Sequence, residues 1–207
     1  MRLFHCRPLA LTAFLPLALA ISACNQPPAS PQAPATPAAA PAALPAQSPV
    51  ERGKMLVIGG GCHDCHTPKK LGQNGPEADM SRMLSGHPES QKVTAPFKGP
   101  KSLWSIHIND DLTAWSGPWG VSFAANLTPD MNTGLGIWNE DMFVKALQQG
   151  KHMGTSRAIL PPMPYVWYGQ LPEESLKAMF AYLRSIPAIQ NRVPTPLGPD
   201  GKPIEAP

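Results

Sequence analysis

The sequence predicts a mostly α-helical domain with a long irregular middle, set behind a leader and a linker. Three observations carry this reading. Leu176, Met179, Phe180 and Leu183 recur at i, i+3, i+4 and i+7, which puts them on one apolar stripe of a helix near the end of the chain. The stretch SPVERGKMLVIGGG begins with Ser48, Pro49 and Glu51, the residue types of a capping box at a helix start. Between residues 76 and 137 no 3.6-residue or two-residue period is sustained and Gly, Pro and Trp are frequent, so loops with short elements are expected there.

The amino terminus comes first. Arg2 and Arg7 flank the start of an apolar run from Pro8 to Ala23 that ends in small residues, the charge and hydropathy order of a secretory signal. The run contains Pro8 and Pro16 and falls short of the about 20 apolar residues of a stable crossing, so residues 1–23 are expected to be removed. Ile21-Ser22-Ala23-Cys24 resembles the lipobox of bacterial lipoproteins, which implies lipidation of Cys24 and anchorage on the periplasmic side of a membrane. Asn25, in place of an inner-membrane retention Asp, points to the outer membrane under enterobacterial sorting rules.

Residues 24–49 are nearly all Pro, Ala, Ser and Gln and lack the large apolar side chains that offset ordering entropy. They read as a linker. At about 3.1 Å per residue in polyproline II it would span roughly 75 Å, a reach suited to a tethered carrier. Residues 50–190 are the expected domain, of ordinary single-domain size, and 191–207 an irregular C-terminal tail. Without residues 1–23, which carry two arginines and no acids, the 17 basic side chains fall to 15 against 14 acidic ones. Such a balance argues against a nucleic-acid partner, which demands a basic face.

Of the four cysteines, Cys6 leaves with the leader and Cys24 takes lipid, so Cys62 and Cys65 alone remain in the domain. They lie in GGGCHDCHTP, where glycines end the first helix and His66 follows the second Cys directly. A zinc site needs about four ligands, usually two short-spaced pairs, and no second pair exists; His63, His87, His107 and His152 stand at no partner spacing. A redox dithiol wants C-x-x-C opening a helix in a βαβ context that lowers the thiol pKa, and here the pair closes a helix. Covalent haem attachment explains all three residues together. Each sulfur adds to one haem vinyl group, and His66 is left as the proximal iron ligand. His63, inside the motif, reads as a solvent-facing spacer.

A six-coordinate electron-transfer haem needs a ligand on its other face, and a neutral thioether there favours Fe(II). Most of the nine methionines read as core filler. Met163 differs, because Pro161, Pro162 and Pro164 frame it in ILPPMPYVWYGQL, a stiff segment able to hold one side chain in place. Met153 is the alternative, with His107 and His152 behind it. Asn139 to Gly150 fits a short capped helix, with Phe143, Ala146 and Leu147 inward. The last helix ends before Pro187.

The order of capped helix, C-x-x-C-H, Gly75-Pro76, PPMP methionine and terminal AMFAYLRSIP helix resembles class I cytochromes c. NLTPDMNTGLGIW, residues 126–138, is similar to a segment of the haem subunits of bacterial alcohol and related dehydrogenases. The resemblance spans roughly residues 50–190. It implies a class I cytochrome c fold with a long irregular insertion between the haem motif and the axial-Met loop, terminal helices that cross, and one haem c with its iron held by His66 and Met163. It also implies that the carbonyl of Pro76 accepts a hydrogen bond from the second ring nitrogen of His66. Three departures stand out: a single haem motif where the subgroup often has several, Pro172 where a Thr or Ser cap is usual, and a longer stretch over residues 87–121. Tyr165, Trp138 and Arg157 read as core and surface residues with haem contact as the alternative. Lys69 and Lys70 read as a solvated face, with partner docking as the alternative.

The expected function is that of a lipid-anchored one-electron carrier between a periplasmic dehydrogenase and an oxidase or cytochrome acceptor, with no substrate chemistry of its own. A fixed haem subunit of a dehydrogenase complex is one alternative. A haem protein with an open distal face, for catalysis or small-gas binding, is the other.

Overall fold

The computed structural model describes residues 47–98 and 105–205. The leader, the lipidation residue Cys24 and the linker up to residue 46 lie outside the described residues.

Helix α1 (Pro49–Gly59) starts as its sequence dictates: Ser48 Oγ accepts from Glu51 N at 3.2 Å, and the Glu51 carboxylate accepts from Ser48 N at 2.9 Å. These bonds to the ionised carboxylate hold Glu51 below its usual pKa. A left-handed Gly61 then turns the chain into the short α2 (Cys62–His66). Asn139 caps α3 (Glu140–Gln149) by accepting from Met142 N at 2.8 Å, and a left-handed Gly150 ends it. After α4 (Tyr165–Tyr168) comes α5 (Glu173–Ser185), which begins behind Pro172 with no side-chain cap and buries Leu176, Met179 and Leu183 as their spacing requires.

Helices α1 and α5 cross at Gly53. A Cβ there would stand 1.8 Å from the carbonyl oxygen of Ala178 and 2.9 Å from the Tyr182 Cβ, so only glycine allows this approach. Val57 of α1, Phe143 and Leu147 of α3 and the α5 stripe form one core, with the Phe143 and Phe180 rings 5.3 Å apart.

Short elements do occur in the middle of the chain, and because they are strands the fold is mixed rather than mostly α: five α-helices and two small sheets among the described residues. Antiparallel β1 (Lys69–Gly72) and β2 (Gly75–Ala78) form a hairpin directly after α2. A second antiparallel sheet contains β3 (His107–Ile108), β4 (Ala114–Gly117) and β5 (Gly120–Phe123) in sequential order. These strands are two to four residues long, too short to imprint a two-residue period on the sequence.

Residues 191–205 carry no helix or named strand, and they pack on the domain. Leu197 is buried and bridges Val121 of β5, and Asn191 Nδ2 donates to the carbonyls of Ser85 and His87 at 2.7 and 2.9 Å. The segment 126–138 fastens the exit of α5. Asn126 Nδ2 donates to Ile189 O at 2.8 Å, and Arg184 donates to the carbonyls of Leu135 and Gly136 at 2.9 and 2.7 Å.

Candidate functional site

The turn through Gly60 and Gly61 delivers Cys62 and Cys65 on successive turns of α2, with His66 at its end. Both cysteines are free, half-buried thiols. Burial pushes the Cys62 thiol up to about 11, and burial followed by the nearby Asp64 charge raises Cys65 as well. Thiols so raised are protonated at neutral pH, the opposite of the activated thiolate that a dithiol oxidoreductase needs. Among the described residues no three His, Cys, Asp or Glu side chains converge as a metal cage.

His66 is buried, and burial lowers its pKa, so its ring is neutral at pH 7. Nδ1 lies 2.8 Å from the carbonyl oxygen of Ala125. A carbonyl only accepts, so Nδ1 carries the proton and the lone pair sits on Nε2. Nε2 makes no hydrogen bond among the described residues, yet every sealed side-chain nitrogen or oxygen there has a partner. Its lone pair therefore has no protein donor among the described residues.

The acceptor corrects the expectation for Pro76. That residue pairs with Leu71 in the β1–β2 hairpin and is solvent-exposed, and the His66 proton goes to Ala125, 59 positions further along the chain. The hairpin turns the Gly75-Pro76 segment outward, and the exit of β5 takes its place. A main-chain acceptor has no side-chain signature, so only its position just before the NLTPD segment offered a clue.

Met163 is half-buried and packs against the core on which Cys62, Leu56, Met83, Leu127, Trp138, Tyr165, Tyr168 and Leu171 also converge. This apolar set, together with two free thiols and a correctly tautomerised imidazole, fits a covalent haem. Met153 stands outside that cluster, in a left-handed conformation (φ 54°) on the turn His152–Gly154. His152 lies edge-on to Trp138 at 5.1 Å; burial and Arg157 lower its pKa to about 4. His107 stacks on Phe97 on β3, with centroids 4.0 Å apart.

Neighbouring residues differ from their sequence reading in instructive ways. Lys69 does not face solvent as a docking charge: its Nζ donates to the carbonyls of His63 and Thr67 at 3.0 and 2.9 Å, closing the C-terminal end of α2. Lys70 is exposed and pairs with Glu77 at 3.4 Å. His63 is half-buried, its Nδ1 3.0 Å from Thr67 Oγ1. Arg157 is half-buried, and burial lowers its pKa. Tyr168 donates to the Gly60 carbonyl just ahead of the thiols, a contact the sequence did not announce.

No known protein-family profile matches the chain. It is 29% identical over 133 residues to the gluconate 2-dehydrogenase cytochrome c subunit of Pantoea cypripedii, a match covering 64% of this chain and 22% of that protein. It is 28% identical over 134 residues to the fructose dehydrogenase cytochrome subunit of Gluconobacter japonicus, covering 65% and 20%. It is 31% identical over 80 residues to the cytochrome c subunit of the quinone alcohol dehydrogenase of Gluconobacter oxydans, covering 37% and 16%. The matched segment thus spans about a fifth or less of the length of these relatives. Its homologues are cytochrome c subunits of bacterial dehydrogenases, at modest identity.

Proposed function

We propose that this chain is a haem-binding electron-transfer subunit or carrier that receives electrons from a dehydrogenase and passes them to an acceptor, without substrate chemistry of its own. The observation that carries this reading is His66: buried, neutral, protonated on Nδ1 by its bond to Ala125, with an Nε2 that has no hydrogen-bond partner among the described residues, directly after two free thiols. In this reading Cys62 and Cys65 hold one haem c covalently, and His66 and Met163 ligate its iron. The bound haem supplies a one-electron Fe(III)/Fe(II) couple. The protein residues do the remaining work. The Ala125 carbonyl fixes the imidazole and raises its donor strength, and the proline-framed segment presents the Met163 thioether. Leu56, Leu127, Trp138 and Tyr165 pack, partly buried, against the same apolar core as Met163 and Cys62.

The donor is a dehydrogenase of the kind named for the relatives, and the acceptor an oxidase or another cytochrome outside the cytoplasm. Lipid on Cys24 would hold the chain to the periplasmic side of the outer membrane. The test is mass and absorption together. Protein matured in a host that attaches haem should gain the mass of one haem, and its oxidised form should show the weak near-red absorption of Met–Fe(III). Met163→Ala should remove that absorption and lower the potential; persistence of the band in Met163→Ala would overturn the assignment of that ligand.

A further inference from the structure

The sheet of β3, β4 and β5 falls in the stretch with the least sequence pattern, yet one edge of it reaches both segments expected to ligate iron. Ser122 on β5 donates its hydroxyl to the carbonyl of Pro161 at 2.5 Å, two residues before Met163, and receives Trp119 Nε1 at 3.3 Å. Three residues on, Ala125 O receives the His66 Nδ1 proton at 2.8 Å. We propose that this sheet is a clamp that positions both axial ligands at once, with Ser122 the positioning residue for the methionine segment and the Ala125 carbonyl, backed by Gly86, the positioning group for His66. The inference rests on the reading of His66 and Met163 as ligands and deepens it.

The proximal arm is built from main chain. Gly86 N donates to the carbonyl of His66 itself at 2.8 Å, His87 N to Ala124 O at 2.9 Å, and Leu127 N to Leu84 O at 2.8 Å, so residues 84–87 and 124–127 are laced together around the imidazole. Ala124 N is in turn bound to Thr113 O at 2.8 Å, which ties the lacing to the start of β4. Gly86 has φ +78°, and a Cβ on it would stand 2.6 Å from Ala125 O and 2.4 Å from Ala124 O. No other residue lets this carbonyl approach the ring. The distal arm is a single side chain. Ser122 is buried, and its hydroxyl is the one polar side-chain group bonded to the Pro161 carbonyl among the described residues. Because Ser122 and Ala125 share one short run of backbone, any shift of β5 moves both ligand segments.

The test uses the full haem-loaded chain and imidazole, which competes with a thioether for ferric iron. Deleting the Ser122 hydroxyl frees one hydrogen bond of the loop, so Ser122→Ala should bind imidazole about five- to tenfold more tightly than the native protein. Ser122→Thr, which keeps the hydroxyl, should return toward the native affinity, whereas a merely structural role would shift both variants alike. Equal imidazole affinity in native and Ser122→Ala protein, or equal shifts in Ala and Thr, overturns the distal arm. For the proximal arm, the His66 Nδ1 proton of the native reduced chain should exchange slowly with solvent by NMR, and rapid exchange overturns it. If the unmutated oxidised protein itself lacks the near-red band, the ligand assignment fails first, and the clamp with it.

Discussion

At His66 two ordinary effects combine. Burial disfavours the charged ring and a main-chain carbonyl fixes which nitrogen holds the proton, so the lone pair sits on Nε2. His152 is only half-buried, yet its ring is kept neutral in the same way. Its pKa is depressed from 6.5 to about 4, first by burial and then by Arg157. A depressed pKa means that the unfolded chain takes up the proton first. The stability due to neutral His152 is therefore complete above about pH 6.5 and is lost as pH falls from there toward 4. Urea midpoints measured across this range should fall less steeply in His152→Gln than in the native chain. His66 and His87 shift in the same direction, so part of the acid slope remains in the variant. Parallel native and variant curves would contradict the assignment.

Among the elements, the crossing of α1 on α5 bears the most weight on one small residue. Gly53→Ala forces a methyl into the Ala178 carbonyl, and the helices must separate along a core that includes Val57 and Leu176. The expected cost is about 3 kcal/mol or more, read from the urea midpoint. A cost within the about 0.5 kcal/mol of ordinary surface changes would show that the helices do not meet this closely. This helix pair was legible in the sequence because each start or stripe is a local pattern: Ser48 and Glu51 for α1, Leu176 to Leu183 for α5. The sheet strands were not. β3 has two residues and its pairing is set by β4, a partner the sequence does not mark.

For the whole molecule, the stretch after residue 190 belongs to the fold. Leu197 closes over Val121 and Asn191 ties residues 85 and 87, so the tail helps hold the same sheet that reaches Pro161 and His66. Leu197→Ala should cost about 2–3 kcal/mol, as for a buried leucine at the margin of a core. It should also loosen β5, so thermal unfolding followed by circular dichroism should begin earlier than in the native chain. A change no larger than that of an exposed tail residue would remove the tail from the core. Position rather than composition distinguishes the two cases, since PTPLGPDGKPIEAP reads as an unstructured end.

The sequence by itself determined the chemistry that depends on residue type and short spacing: two thiols and an imidazole in one motif, a proline-framed methionine, and the caps and stripes of the principal helices. These are local, so adjacent residues suffice to write them. Only the tertiary structure decided which carbonyl holds His66, where Pro76 faces, and that Ser122 reaches the methionine segment. Each depends on main-chain groups or on contacts between residues 39 to 59 positions apart, and backbone atoms are the same whatever side chain they carry.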